Sequence, residues 1–275
     1  MKKLLALFAV VLAGCGLIAG TDPLNVDPCY NGCDGGGEGG IDATIDAPIE
    51  GGSDAGTDVI TTDSGCPASM IAVPANPKYC VDSTEVTFAE YGKFVTAKGS
   101  DTSGQIAVCA ANTSYAPSII GSGSIPVRNV DWCDAMAYCT WAGKRLCGKI
   151  GGGSVPQSDF ENPAINQWLY ACSAGGTQPF PYGSTYQSGA CNTDLDAGAP
   201  VAVGSKAKCE GGFPGIFDMI GNVWEFIDAP DTTNQTVLIY GAAWSTTDPT
   251  FDCSTGFAFP FSSNADDVGF RCCSP

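Results

Sequence analysis

Twelve cysteines between residues 66 and 273 constrain the fold of this chain more than any other feature. Disulfides are typical of exported proteins and rare in the cytosol, so this density indicates a domain that folds in an oxidising compartment. An even dozen cysteines could form six bridges, but the sequence alone does not fix their partners. Cys15, Cys29 and Cys33 precede the domain and bring the total to 15.

The first fifteen residues have the pattern of a lipoprotein signal peptide. Lys2 and Lys3 precede an apolar run at residues 4–13, which is too short to span a bilayer. The run ends in Leu-Ala-Gly-Cys at residues 12–15, which resembles a bacterial lipobox. We therefore predict a signal peptide at residues 1–14, lipid on Cys15, and a protein anchored in the cell envelope, at the outer membrane or the cell surface. An ordinary secretory signal with a chance cysteine is the alternative.

Two compositional features exclude whole classes of function. The chain contains no histidine, which excludes a Ser-His-Asp triad, a Cys-His pair and histidine-ligated zinc or iron. Its formal net charge is −17, and such a chain repels phosphate backbones. Nucleic acid is therefore not expected among its partners.

Residues 15–65 are predicted to be a lipidated acidic tether. They contain ten Asp or Glu and no Lys or Arg, and glycine runs interrupt any regular pattern. Such a segment cannot bury enough apolar surface to fold, and its charges keep it extended. Collection of divalent cations by these acids is the alternative. The composition changes at Cys66, so residues 66–275 are predicted to form one folded domain.

Three helices are predicted in this domain. Thr87 and Glu90 form a capping box before one apolar stripe, and Asp131 caps a second helix that stops at Gly143. Asn162-Pro163 is predicted to open a third helix, with Ile165, Trp168, Leu169 and Cys172 as its stripe and Gly175-Gly176 as its end. Short strand candidates such as residues 237–240 lie among Gly-rich and Pro-rich stretches. The pattern favours a compact α+β domain with much irregular structure.

Five stretches of this domain resemble the formylglycine-generating enzyme, or sulfatase-modifying factor, family. In chain order they are VDSTEVT at 81–87; PVRNVDW at 126–132, running into AYCTWAGKRL at 137–146; WLYAC at 168–172 with FPYG at 180–183; GIFDMIGNVWEF at 215–226; and GFRC at 269–272. The match spans nearly all of residues 66–275. The resemblance implies a single disulfide-rich domain with a compact variant of the C-type lectin fold.

The resemblance also implies some of the disulfide partners. Cys139 is expected to pair with Cys272 or Cys273, and Cys172 with Cys253. Proximity in the sequence favours two further bridges, Cys66–Cys80 and Cys191–Cys209. Three cysteines then have no assigned partner: Cys109, Cys133 and Cys147.

The oxidases of this family bind copper through two cysteine thiolates and convert a cysteine of a sulfatase to formylglycine, which is chemistry suited to Cu(I). The resemblance places those cysteines near Thr246 and Phe251 of this chain, and Ala243 stands where the family has a serine. We therefore expect no copper and no catalytic residues.

Calcium is the cofactor that the resemblance favours instead. One expected site takes the side chains of Asn222 and Glu225 with the carbonyl groups of Val223 and Ile227, an oxygen set that suits a hard cation. A second site would begin at Asn192 and Thr193 with Asp194, or alternatively Asp196, as its carboxylate.

Two interpretations of function follow from these observations. The favoured one is a displayed module that has lost the oxidase site and binds or scaffolds an extracellular protein or glycan. The competing one is an active oxidase that modifies a cysteine in a sulfatase-like substrate. The two differ in whether the domain holds a reducible cysteine pair.

Overall fold

The computed structural model describes residues 65–274. The predicted signal peptide, the lipidation site at Cys15, and the tether up to residue 64 lie outside the described residues, as do Cys29 and Cys33. Among residues 65–274, no helix has the length and apolar character needed to cross a bilayer.

Two of the predicted helices are confirmed. Helix α1, Phe88–Lys98, begins with the capping box: the Glu90 amide donates to the Thr87 hydroxyl at 3.2 Å, and the Thr87 amide donates to the Glu90 carboxylate at 2.9 Å. Helix α2, Trp132–Trp141, is capped by Asp131 in the same way. Both begin where a side chain satisfies amide groups that have no partner within the helix.

The third helix was predicted too long. Helix α3 covers only Gln167–Cys172, and its cap is Asn166, whose side chain accepts from the Leu169 amide at 3.2 Å. Asn162-Pro163 and Ile165 lie in the preceding turns. The proline does open a turn, but the Asn166 amide and side chain are already bonded there, to Asn162 and Phe160.

The first sheet joins the beginning of the domain to its end. Its order is β1-β2-β8-β3, with β1 at Met70–Val73, β2 at Tyr79–Asp82, β8 at Cys272–Cys273 and β3 at Arg145–Leu146. All three neighbouring pairs are antiparallel.

The second sheet comes from the last quarter of the chain. Its order is β6-β5-β4-β7, with β6 at Gly256–Pro260, β5 at Thr236–Tyr240, β4 at Trp224–Asp231 and β7 at Val268–Phe270. Strand β7 runs parallel to β4, and the other pairs are antiparallel. The strand predicted at residues 237–240 is β5.

One hydrophobic core extends under both sheets and all three helices. Trp132 and Trp168 are fully buried, and each indole N–H has a partner: Trp132 donates to the Ile227 carbonyl at 3.1 Å, and Trp168 to the Glu225 carboxylate at 2.8 Å. Long irregular segments connect short strands. The predicted α+β, disulfide-rich class is confirmed.

Candidate functional site

The loop after β5 is where the resemblance places the copper cysteines. Gly241 opens it with a φ of 90°. Ala243 and Thr246 then close a tight turn, because the Ala243 amide donates to the Thr246 hydroxyl at 3.0 Å and the Thr246 amide donates to the Ala243 carbonyl at 3.0 Å. The Thr246 carbonyl also accepts from the Asp194 amide at 2.7 Å. Thr246 is therefore engaged in holding the loop.

Phe251, near the second expected copper position, belongs to an aromatic cluster. The centre of its ring lies 5.9 Å from that of Trp224 and 5.6 Å from that of Phe257. The contact with Trp224 is edge-to-face, which is a favourable arrangement of aromatic rings, and the contact with Phe257 is tilted. The two positions therefore carry a hydroxyl and a phenyl ring, and neither supplies a thiolate.

All twelve cysteines of the described domain lie in six disulfides. The structure brings together Cys66 and Cys80, Cys172 and Cys253, and Cys191 and Cys209. It joins Cys139 to Cys272, and the unassigned cysteines form Cys109–Cys133 and Cys147–Cys273. A Cu(I) site needs free thiolates. Residues 65–274 contain none, so these residues do not fit a copper ion.

The side chains expected to bind calcium have other partners. Both Glu225 oxygens accept from Arg271, at 2.7–3.0 Å, and the Asn222 amide oxygen accepts from the Val201 amide at 2.9 Å. The Ile227 carbonyl accepts the Trp132 indole N–H, and only for the Val223 carbonyl is no such bond seen. The guanidinium of Arg271 therefore already neutralises the one carboxylate of the expected set, and this arrangement does not fit a calcium ion.

The second expected set is only partly engaged. The Asn192 side-chain oxygen is buried and accepts no hydrogen bond, as a metal ligand would. However, the Tyr186 hydroxyl donates to Asp194 and approaches Thr193, and Lys206 pairs with Asp196. Within residues 65–274, no three His, Cys, Asp or Glu side chains are grouped to hold a metal.

A comparison of the sequence with models of known protein families identifies the domain. The family model of the sulfatase-modifying factor enzyme 1-like domain matches residues 47–274. That is more than three quarters of the chain. The chain belongs to the sulfatase-modifying factor family.

The relatives in this family include proteins named as enzymes and proteins named as inactive. An inactive Cα-formylglycine-generating enzyme 2 from Bos taurus is 30% identical over 171 residues, covering 54% of this chain and 50% of the relative. The formylglycine-generating enzyme of Bos taurus is 24% identical over 283 residues, covering 78% of this chain and 69% of the relative. Because the chain spans only half the length of the first relative, the match establishes the domain and leaves the activity to be argued from the site.

A solved structure supports the fold. The structure of PvdO from Pseudomonas aeruginosa superposes with a TM-score of 0.51 at 20% identity, covering 71% of this chain and 80% of that one. At this identity the likeness concerns the fold only.

Sequence reasoning missed a buried ionic cluster in this family member. Arg271 is 0% exposed; besides Glu225, its guanidinium donates to the carbonyl oxygens of Asp82 at 3.2 Å and Phe217 at 2.8 Å. The guanidinium is thereby well satisfied. Arg271 and Glu225 both lie in family motifs, but nothing in either motif indicated that they meet.

Two further acids lie beside this pair without a cation of their own. Glu85 is 1% exposed, and neither of its oxygens accepts a hydrogen bond. Burial, and then the neighbouring Asp218, raise the pKa of Glu85 well above its usual range. Burial also raises the pKa of Asp218 to about 6, although its carboxylate accepts the Gly204 amide at 2.6 Å. Both acids therefore bind a proton more readily in the folded domain than they would in water.

The burial of Glu85 and Asp218 bears on whether they can act in catalysis. Raised pKa values in a cleft often mark catalytic acids and bases. Here Glu85 and Asp218 are enclosed by the core, and a substrate has no access to them at such burial. The contacts of this cluster stabilise the core, and the loop at residues 241–253 holds no free thiol, because its one cysteine, Cys253, is bonded to Cys172.

Proposed function

We propose that this protein is an exported, lipid-anchored member of the sulfatase-modifying factor family that lacks the copper-dependent oxidase activity and works as a binding module. Its partner would be an extracellular protein or glycan, reached on an acidic tether. Neither copper nor calcium is part of this proposal.

One observation carries the loss of activity. The expected copper positions fall near Thr246 and Phe251, and the nearest cysteine in the sequence, Cys253, is bonded to Cys172 at 2.03 Å. Since thiolates are what hold Cu(I), a domain whose cysteines are all oxidised cannot bind it. The relative named inactive is consistent with such a loss within the family.

The lipid anchor is supported by the sequence. Lys2, Lys3, the short apolar run and Cys15 together form the expected signal. Labelling of cells with a radioactive fatty acid tests it: the wild-type chain should carry the label, and a Cys15→Ser variant should lose it. Labelling of the variant at the wild-type level would overturn the anchor.

The decisive test of the lost oxidase is a thiol map of the mature protein. Alkylation under denaturing conditions without reductant, followed by peptide mass spectrometry, should find no modified cysteine between residues 66 and 273. Titration with Cu(I) in competition with a chelator should show no tight site in this domain. A cysteine peptide incubated with copper and oxygen should gain no aldehyde.

A matched variant makes a negative result informative. Thr246→Cys with Phe251→Cys places two thiols where the family has them, and this protein should bind Cu(I) when reduced gently. If the wild-type domain itself shows two reducible thiols and one tight Cu(I), the active oxidase is the correct function and the proposal fails.

A further inference from the structure

A cavity of about 160 Å³ opens on the face of the domain formed by α1, α2 and the segment at residues 103–115. It lies apart from the loop at residues 241–253 and from the buried ionic cluster. The disulfide Cys109–Cys133 contributes to its wall, which holds the segment in place. We propose that this cavity binds one acidic pyranose ring, such as a uronic acid unit of an extracellular polysaccharide.

Trp141 provides a platform for the ring. It is the last residue of α2 and is 41% exposed. Its ring packs against Phe94 at 5.6 Å and Tyr138 at 5.9 Å, centre to centre, and these contacts hold the indole in place. A fixed, partly exposed aromatic surface suits the C–H face of a sugar ring, which gains dispersion contacts there without losing its hydroxyl hydration.

Gln105 provides a fixed acceptor. Its amide N–H groups donate to the carbonyl oxygens of Thr102 and Asn112, both at 2.9 Å. These bonds fix the orientation of the amide, and its oxygen is buried without a partner. A buried acceptor is stabilised when a ligand supplies a donor. Gln105 is part of the cavity wall, and an unpartnered acceptor in that wall favours a ligand with hydroxyl groups at its edge over a purely apolar ring.

Lys98 gives the cavity its charge preference. It is the only charged residue that lines the cavity, on a chain of net charge −17. Within the described residues Lys98 belongs to no ion pair, although Asp101 lies near enough to interact with it. A single cation suits a single carboxylate on the ligand better than a polyphosphate.

The size of the cavity limits the ligand to one ring inside. A cavity of about 150 Å³ in another protein holds one benzene molecule, whereas sites for drug-sized ligands are roughly 300–1,000 Å³. One sugar unit would therefore enter, and the rest of the polysaccharide would remain outside. This inference deepens the proposed binding role and rests on it.

Calorimetric titration of the mature protein tests the inference with two trimers of equal length, one of galacturonic acid and one of neutral glucose. We expect the acidic trimer to bind at least about tenfold more tightly, a difference of about 1.4 kcal/mol. Lys98→Gln should remove this preference, and Trp141→Ala should abolish binding of both trimers.

Phe257→Ala is the matched control, because Phe257 is a similarly exposed aromatic residue at 45% but lies on β6. It should bind like the wild type, and unchanged melting temperatures should show that all variants fold. No binding of either trimer, equal affinity for both, or undiminished binding by Trp141→Ala would each overturn the inference. Such a failure leaves the thiol map unchanged, so it is distinguishable from a failure of the proposed function.

Discussion

The Glu225–Arg271 pair and the Glu85–Asp218 pair lie side by side in the core and are equally buried. The first joins an acid to a base, whereas the second consists of two acids. Arg271 binds both oxygens of Glu225, so this pair carries no net charge and few unmet hydrogen bonds. Glu85 and Asp218 have no such cation, and burial raises the pKa of both. Burial alone thus does not decide the charge state of an acid; the presence of a bound cation does.

The same comparison explains why the domain can keep its family fold without the family chemistry. All four residues lie in motifs that match the family, and all are buried in the core. Thr246 and Phe251 hold the loop at residues 241–253 through a turn and an aromatic contact, and neither residue touches the four buried charges. The fold and the oxidase site are therefore separable.

The largest effect is expected from Arg271→Met, which breaks the balanced pair. It leaves Glu225 buried with an uncompensated charge and removes the donors to two backbone carbonyls. Removing one partner of a buried ion pair costs about 3–5 kcal/mol of unfolding free energy. Urea denaturation at pH 7.5, followed by circular dichroism, would measure the loss.

Lys206→Gln is the control for this variant. Lys206 pairs with Asp196 at the surface, with the two side chains 27% and 42% exposed, and such pairs contribute less than about 1 kcal/mol. If Arg271→Met costs no more than this control, Glu225 has another counter-charge, and the contrast between the two buried pairs is wrong.

The next largest expected effect is a pH dependence of the domain's stability that arises from the Glu85–Asp218 pair. The pKa of Asp218 rises from 3.8 in the unfolded chain to about 6 in the folded domain, so the folded domain binds more protons in this range. This stabilisation is complete below about pH 4 and is lost as the pH rises through 6. Asp218 alone should make the domain more stable at pH 5 than at pH 7.5 by about 1 kcal/mol. Denaturation at both pH values would show it.

Asp218→Asn isolates this contribution. Asp218 has a φ of 58°, which asparagine tolerates, and the amide oxygen can still accept the Gly204 amide. The variant should lose about 1 kcal/mol of the pH difference. Asp231→Asn serves as control, since hydrogen bonds lower the pKa of Asp231 and its titration lies below this range. An unchanged difference in Asp218→Asn would show that Asp218 stays ionised in the folded domain.

Local signals in the sequence predicted part of this fold. The capping residues Thr87 and Asp131 lie within three residues of the amide groups they bind, so helices α1 and α2 could be predicted. The start of α3 was wrong because Asn162-Pro163 is an equally good local signal for a turn. Helix α3 begins at Asn166 instead, because the side chain of Asn166 makes contacts that form only in the folded domain.

The site depends on partners that are distant in the sequence. Glu85 and Arg271 are 186 positions apart (271 − 85 = 186), and no periodicity or motif indicates that they meet. The bridge between Cys147 and Cys273 was missed for the same reason, since the two cysteines are 126 positions apart and lie close together where β8 pairs with β3. The resemblance to the family supplied the motifs, but it could not show that the Arg271 guanidinium donates to the Glu225 carboxylate.

The smallest expected effect is the response of the wild-type domain to calcium. Because Glu225 and Asn222 are engaged by protein donors, 5 mM calcium in place of EDTA should shift the melting temperature by less than about 1 °C. Arg271→Met should respond differently: it leaves Glu225, Glu85 and Asp218 together without a cation, and calcium, which prefers carboxylate ligands, would displace the protons that burial favours on Glu85 and Asp218. Stabilisation of the variant by several degrees with calcium, and none in the wild type, would identify Arg271 as the internal counter-charge of this core. Stabilisation of the wild type to the same extent would mean that calcium displaces the guanidinium, and that the balanced pair forms only in the metal-free protein.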